Sequence, residues 1–121
     1  MAAYTPDRGH FVWIDFTPQA GREQAGHRPA LVLSAATYNA RSGLVVVCPV
    51  TSQAKGYAFE VEIPAECSVR GFVLVDAVKN LDWRVRGIRY AGDASFDLMK
   101  AVTGRLAVLT GVDIYWPREA S

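Results

Sequence analysis

At 121 residues, half of them hydrophobic and 21% charged, the chain has the size and composition of one globular domain with a modest core. A net charge of +1 excludes a polyelectrolyte, so a surface for an anionic partner must be a local patch. Residues 1–10 lack the apolar stretch of a signal peptide and the apolar run 44–50 is too short for a bilayer. Cys48 and Cys67 have no metal-ligand spacing, which leaves the expectation of a soluble, reduced, cytoplasmic protein.

In chain order, residues 1–8 read as an arm. Residues 10–16 alternate in part and read as a first strand. Pro18, Gly21 and Gly26 punctuate a polar loop over 17–27, and 29–34 is the second strand. Residues 35–43 read as a connection, with Asn39 and Ser42-Gly43 as turn signals. The run 44–50 is apolar on both faces and should be the central strand, with Pro49 marking a bulge or its last pairing. After a polar loop over 51–56, residues 59–63 alternate cleanly and 72–78 form a fifth strand. Residues 80–82 suit a single 3₁₀ turn and 84–90 a short final strand.

Ser95 is a natural N-cap, with Asp97 in the first turn. Leu98, Met99, Val102, Leu106 and Leu109 then recur on one helical face, Gly104 weakens the interior, and Gly111 is a C-terminal stop. In the tail, 112–121, Ile114, Tyr115 and Trp116 are bulky enough that part should pack. Many short strands with one C-terminal helix predict a mainly β fold, a small antiparallel barrel.

Arg28 sits between the first loop and the second strand. Pro29 disfavours the α region for it, so it should be extended. A guanidinium in a fixed direction at a strand mouth is a fork of donors suited to a phosphate.

Several segments together resemble the MazF/PemK family of ribonuclease toxins: GHFVWIDF from Gly9, EQAGHRPALVLS from Glu23, PVTS from Pro49, KGY from Lys55, VDAVK from Val75 and DWRVRG from Asp82. The resemblance runs in order, at family spacing, from about Asp7 to Gly111. It implies an SH3-like or plasmid-toxin barrel and a homodimer. It implies metal-independent, sequence-selective cleavage of single-stranded RNA, with no cofactor. It also implies an antitoxin whose acidic, flexible C-terminal segment covers the RNA groove.

By that resemblance Arg28 is the catalytic arginine, stabilising the charge that builds on phosphorus when the 2′-hydroxyl attacks. Read alone, it is a surface arginine at a strand start. Thr51 would hold a phosphate oxygen with its hydroxyl, against the plainer reading of a threonine bonding its own loop. Glu23 is the best carboxylate for general base, against a solvated loop glutamate. Gln24 and Ser52 are neighbouring RNA contacts. Lys55, Lys79, Arg84, Arg86 and Arg89 supply the local positive patch; in an extended segment Arg84 and Arg86 share one face and Trp83 and Val85 the other.

Trp13, Tyr57 and Trp83 can stack bases or fill core and interface, with Trp13 read as the latter. Asp15 and Asp76 accept from base edges or stabilise turns. His27, on the face opposite Arg28, and His10 read as structural. The alternatives are a non-enzymatic toxin of the same fold that traps DNA gyrase, and a protein-binding barrel that docks through its apolar tail.

Overall fold

The computed structural model describes residues 3–17 and 26–116. Its elements are β1 (His10–Asp15), β2 (His27–Val32), α1 (Ala36–Ser42), β3 (Leu44–Thr51), β4 (Glu60–Glu62), β5 (Phe72–Leu74), β6 (Lys79–Asp82), β7 (Arg89–Asp93), α2 (Phe96–Leu109) and the single turn α3 (Val112–Tyr115). Two 3₁₀ turns, Val75–Ala77 and Trp83–Val85, follow β5 and β6. The strands pair in the order β4-β5-β3-β2-β1-β7, with β6 also on β3, and the paired strands run antiparallel. No ladder joins β4 to β7 among the described residues, so the expected barrel is a sheet that hydrogen bonds do not close.

β3 organises the sheet because both its faces are apolar. One face, with Cys48 and Val50, meets Phe11, Leu31 and Val73 under Leu98 and Val102 of α2. The other, with Val45 and Val47, meets Val12, Ile14, Ala30 and Val32 and is closed by Trp83. Burial pushes the Cys48 thiol up to about 12, which leaves it a protonated core side chain at neutral pH. Pro49 sits in the last registered pair between β3 and β2, opposite Ala30, and β3 then continues beside β5 to Thr51. The β2 ladder stops there, as the last-pairing reading expects, and the strand continues without a register shift.

α2 starts and stops as the sequence indicates. Ser95 Oγ accepts the Leu98 amide at 3.1 Å, and Gly111 follows the Thr110 cap with φ 88°. The connection 35–43, by contrast, is helical. Its N-cap, Ala35, has no side-chain acceptor. Asp7 supplies one from the arm, its Oδ1 taking the Ala36 amide at 2.8 Å and the Arg8 amide at 2.8 Å. These bonds hold the Asp7 carboxyl below its ordinary value, the Ala36 amide contributing most. A carboxyl whose folded pKa is depressed adds stability above its unfolded pKa and loses it as pH falls through the folded one. Asp7→Asn should therefore lower stability at neutral pH by no more than about 1 kcal/mol, because the site is exposed, and the difference should vanish in acid. Paired denaturant titrations at neutral and acid pH measure it.

The core of α1 is polar. Asn39 is fully buried. Its Nδ2 donates to Pro6 O at 2.8 Å and Ser34 O at 3.0 Å, and its Oδ1 accepts from Ser34 Oγ at 2.6 Å. Its carbonyl takes the Trp83 indole N–H at 2.9 Å. One side chain thus ties the arm, the end of β2 and α1 together, while its backbone anchors Trp83. Asn39→Ala removes these side-chain bonds and strands buried carbonyls, so it should cost about 2 kcal/mol in equilibrium unfolding.

Trp83 also explains the second departure from expectation. Residues 79–82 are a strand beside β3 rather than a 3₁₀ turn, and the turn comes one step later, as Trp83 swings into the core. The last strand is accordingly 89–93, not 84–90. The segment around Arg84 is not extended, and its faces are not the predicted ones: Trp83 is buried while Val85 is 78% exposed. Trp83 is a core residue and offers no face to a base. The expected packing of the tail also fails among the described residues, since Ile114, Tyr115 and Trp116 are all at least 71% exposed.

Candidate active site

The β2–β1 ladder places Arg28 opposite Ile14, and the β2–β3 ladder ends at Ala30 and Pro49. Continuing that register by two residues sets Arg28 across from Thr51, because antiparallel partners keep a constant index sum. Alternation puts both on the face that carries Ala30, Val32, Val45 and Val47 toward the Trp83 core. They lie at its rim, each half-buried, where the ladder has stopped and two strand ends form a mouth. Thr51 Oγ1 accepts the Gln53 amide at 3.2 Å, the local bond of the plainer reading. That bond uses the oxygen as acceptor and leaves the hydroxyl hydrogen to donate elsewhere. His27, next to Arg28, points to the opposite face, where its Nε2 lies 3.2 Å from Gly87 O. Glu23 and Gln24 fall outside the described residues.

Thr51 also lines a polar cleft of about 330 Å³ together with Gln53, Lys55, Tyr57, Glu60, Leu74, Asp76 and Ala77. The sequence singled out Thr51, Lys55, Tyr57 and Asp76 separately, and the fold gathers them here. It did not single out Gln53 or Glu60. Glu60 holds the neighbouring loop in shape. Its Oε1 accepts the Lys55 and Gly56 amides, both at 2.9 Å, and its Oε2 the Lys55 amide at 3.0 Å. A carboxylate is well matched to successive amides in a turn, so it fixes the loop that forms one wall. The signal was the glutamate of an alternating strand five residues after Lys55, but a strand glutamate facing solvent reads the same way. On the other wall Tyr57 donates to Asp76 Oδ1 at 3.3 Å. Partial desolvation, and then the Asp76 charge, raise the Tyr57 hydroxyl above its ordinary pKa. A larger, mainly apolar groove of about 600 Å³ runs along α2 past Phe59, Ala101 and Val108, and holds none of the candidate residues.

The basic residues divide. Arg86 reaches back to the mouth, its Nη1 donating to Asp15 O at 3.0 Å and Thr17 O at 3.3 Å, while its buried Nε has no partner among the described residues. Arg84 is at the other end of β6, over the Trp83 ring with its carbon 5.2 Å from the centroid, donating to Ala40 O at the end of α1. Lys79 opens β6 opposite Val47, and Arg89 lies exposed in β7 opposite Trp13, which is itself 38% exposed. Ser52 is exposed beside Thr51. Asp15 proves to stabilise a turn, accepting the Thr17 hydroxyl at 2.6 Å and amide at 2.9 Å. Those bonds, the hydroxyl first, lower its pKa. His10 is held by the Tyr4 hydroxyl at 2.7 Å and stacks on that ring, in line with a structural role.

Residues 7–110 match the family model described as PemK-like, MazF-like toxin of type II toxin-antitoxin system. The endoribonuclease toxin MazF of Escherichia coli K12 is 40% identical over 111 residues, 92% of this chain and 99% of that protein. Endoribonuclease PemK of Escherichia coli is 31% identical over 108 residues, 85% of this chain and 80% of PemK. Among solved structures, MazF from Deinococcus radiodurans superposes with a TM-score of 0.85 at 54% identity, covering 90% of this chain and 99% of that one. The same organism's MazE-MazF complex gives 0.80 at 49%, covering 90% and 98%. With the family model spanning residues 7–110, 40% identity over nearly the full length of a MazF and the same fold in a solved MazF, the chain belongs to the PemK-like, MazF-like family of type II toxin-antitoxin toxins, as a MazF-type endoribonuclease.

Proposed function

We propose that this enzyme cuts single-stranded RNA at selected sequences by attack of the ribose 2′-hydroxyl on the adjacent phosphorus. What supports this reading is the β2–β3 register, which, continued two residues past the Ala30–Pro49 pair, sets Arg28 across from Thr51. A guanidinium and a hydroxyl from two strand ends can donate to the two non-bridging oxygens of one phosphate, and both bonds strengthen as the phosphorane gains charge. The role of the Arg28 guanidinium is electrostatic. Glu23 takes the proton of the attacking hydroxyl, with its pKa raised as bound RNA covers it. The P–O5′ bond then breaks and the leaving oxygen collects a proton. The products are a 2′,3′-cyclic phosphate and a 5′-hydroxyl, because the nucleophile is internal and needs neither a metal-bound water nor a cofactor.

Lys55, Lys79, Arg84, Arg86 and Arg89 contact phosphates, and Gln24 and Ser52 assist near the cut. The working form is a cytoplasmic homodimer, restrained by a cognate antitoxin that lays an acidic, flexible segment over the basic mouth. The MazF of Deinococcus radiodurans has been solved with its MazE, which supports a protein partner here too. The family match favours this enzymatic reading over the gyrase-trapping and protein-docking alternatives.

Incubating the purified protein with single-stranded RNA in chelator, then identifying the ends, tests the chemistry. Site-selective cuts with cyclic-phosphate and 5′-hydroxyl ends are expected. 5′-phosphate ends would rule out internal attack, and a need for added divalent cation would overturn its metal independence. RNA affinity should also fall steeply with added salt, since each phosphate contact releases counterions.

A further inference from the structure

We propose that Arg86 is a positioning residue for Arg28. Its guanidinium stands in for a missing strand at the end of β1 and fixes the backbone from which Arg28 reaches the phosphate. The inference rests on the reading of Arg28 as the catalytic guanidinium, and it gives Arg86 a task beyond any phosphate contact of its own.

The β1–β7 ladder has its last registered pair at Trp13 and Arg89, while β1 runs on to Asp15. Arg86 takes over that edge. Its carbonyl accepts the Asp15 amide at 3.0 Å, and its Nη1 donates to Asp15 O at 3.0 Å and Thr17 O at 3.3 Å. The N–H and C=O of one strand residue point to the same side, so a single residue here satisfies the edge as a paired strand would. Both carbonyls receive a charged donor, which makes these bonds stronger than neutral ones.

The other edge of the same segment holds β2. Ile14 pairs with Arg28 and Asp15 with His27. The Phe16 amide donates to Gly26 O at 3.0 Å, and Thr17 Oγ1 accepts the Gly26 amide at 3.1 Å. Next to Arg86, Gly87 places its carbonyl oxygen 3.2 Å from His27 Nε2. Residues 15–17 are therefore clamped between Arg86 and the two residues that precede Arg28. A shift at Asp15 or Thr17 passes through paired backbone to Arg28, where a small misplacement of a donor costs rate.

Arg86→Lys tests this, because lysine keeps the charge that a phosphate needs but has no planar fork to span two carbonyls. The kcat for RNA cleavage should fall by about tenfold or more, with KM changed by less than about threefold. The salt dependence of RNA affinity should keep its slope. Amide exchange at Phe16 and Gly26 should quicken while the amides of α2 stay protected, the mark of a loosened clamp in a folded protein. The double variant Arg28→Ala/Arg86→Lys should cut no more slowly than Arg28→Ala, since nothing is left to position. A loss confined to KM, unchanged exchange at Phe16 and Gly26, or additive losses in the double variant would overturn the proposal. If Arg28→Ala is impaired and Arg86→Lys cuts like the parent, the positioning role fails alone. If Arg28→Ala itself cuts like the parent, the catalytic reading of Arg28 fails and takes this proposal with it.

Discussion

Arg28→Ala should lower the rate of RNA cleavage by at least about a hundredfold while leaving the fold intact. The magnitude follows from what is lost: one donor aimed at charge that develops only in the transition state is typically worth a factor of about 10² to 10³. The fold should survive because Arg28 stands at the rim, half-buried, beyond the last registered pair of β2 and β3. Thr51→Val keeps the volume and removes the hydroxyl, so it should cost about tenfold or more by the same logic, less than the loss of a full charge. Lysine at position 28 tests the geometry separately from the charge. A lysine ammonium cannot reproduce a planar fork, and most of the loss should persist in Arg28→Lys. Single-turnover cleavage, with unfolding curves as control, distinguishes these outcomes. A variant that melts like the parent and cuts like it would remove Arg28 from the chemistry.

The sequence was most legible where local signals and burial agree. α2 has an apolar face of its own, a side-chain cap immediately before it and a glycine stop two residues after it. β3 announces its central place by being apolar on both faces. α1 was illegible because its cap comes from Asp7, 29 residues upstream, and its buried residue is an asparagine that sequence logic assigns to turns. The exchange of strand and 3₁₀ turn around Asp82 and Trp83 has the same origin. The indole finds its acceptor on Asn39, so a contact 44 residues away decides where the chain bends. At the candidate site, Arg28 and Thr51 stand at the ends of two adjacent antiparallel strands, a neighbourhood that the order of the segments lets one foresee. The part of Glu60 in fixing the Lys55 loop was not legible, because a solvated strand glutamate and an amide-binding one have the same local pattern.

Gly71→Ala should be severely damaging for so small a substitution, destabilising the protein by about 4 kcal/mol and impairing cleavage in whatever protein still folds. Gly71 adopts φ +123°, a conformation that side chains rarely take, for which strain of about 1–3 kcal/mol is usual. Space adds a second cost. A Cβ there would overlap the carbonyl oxygen of Thr51, and would lie 3.1 Å from its carbon and 3.3 Å from Val50 Cγ1. Backbone cannot rotate away as a flexible side chain can, so β3 and β5 must separate or shift, an overpacking penalty of about 1–3 kcal/mol. The strand that moves carries the candidate phosphate ligand: Thr51 pairs with Phe72, next to Gly71, while the Gly71 carbonyl takes the Ile63 amide at 2.9 Å from the other side. Gly9→Ala separates strain from displacement, because Gly9 also has positive φ, at +91°, but nothing lies within 4 Å of an added Cβ. It should lose stability through strain alone and keep its turnover under conditions where it is folded. Gly71→Ala, assayed at a temperature where it too is folded, should show reduced kcat with a smaller change in KM, because an ångström of displacement at Thr51 spoils the alignment of a donor more than the hold on the rest of the RNA. If the two variants lose activity only in proportion to their unfolded fractions, the backbone contact beneath Thr51 matters for stability and not for the position of its hydroxyl.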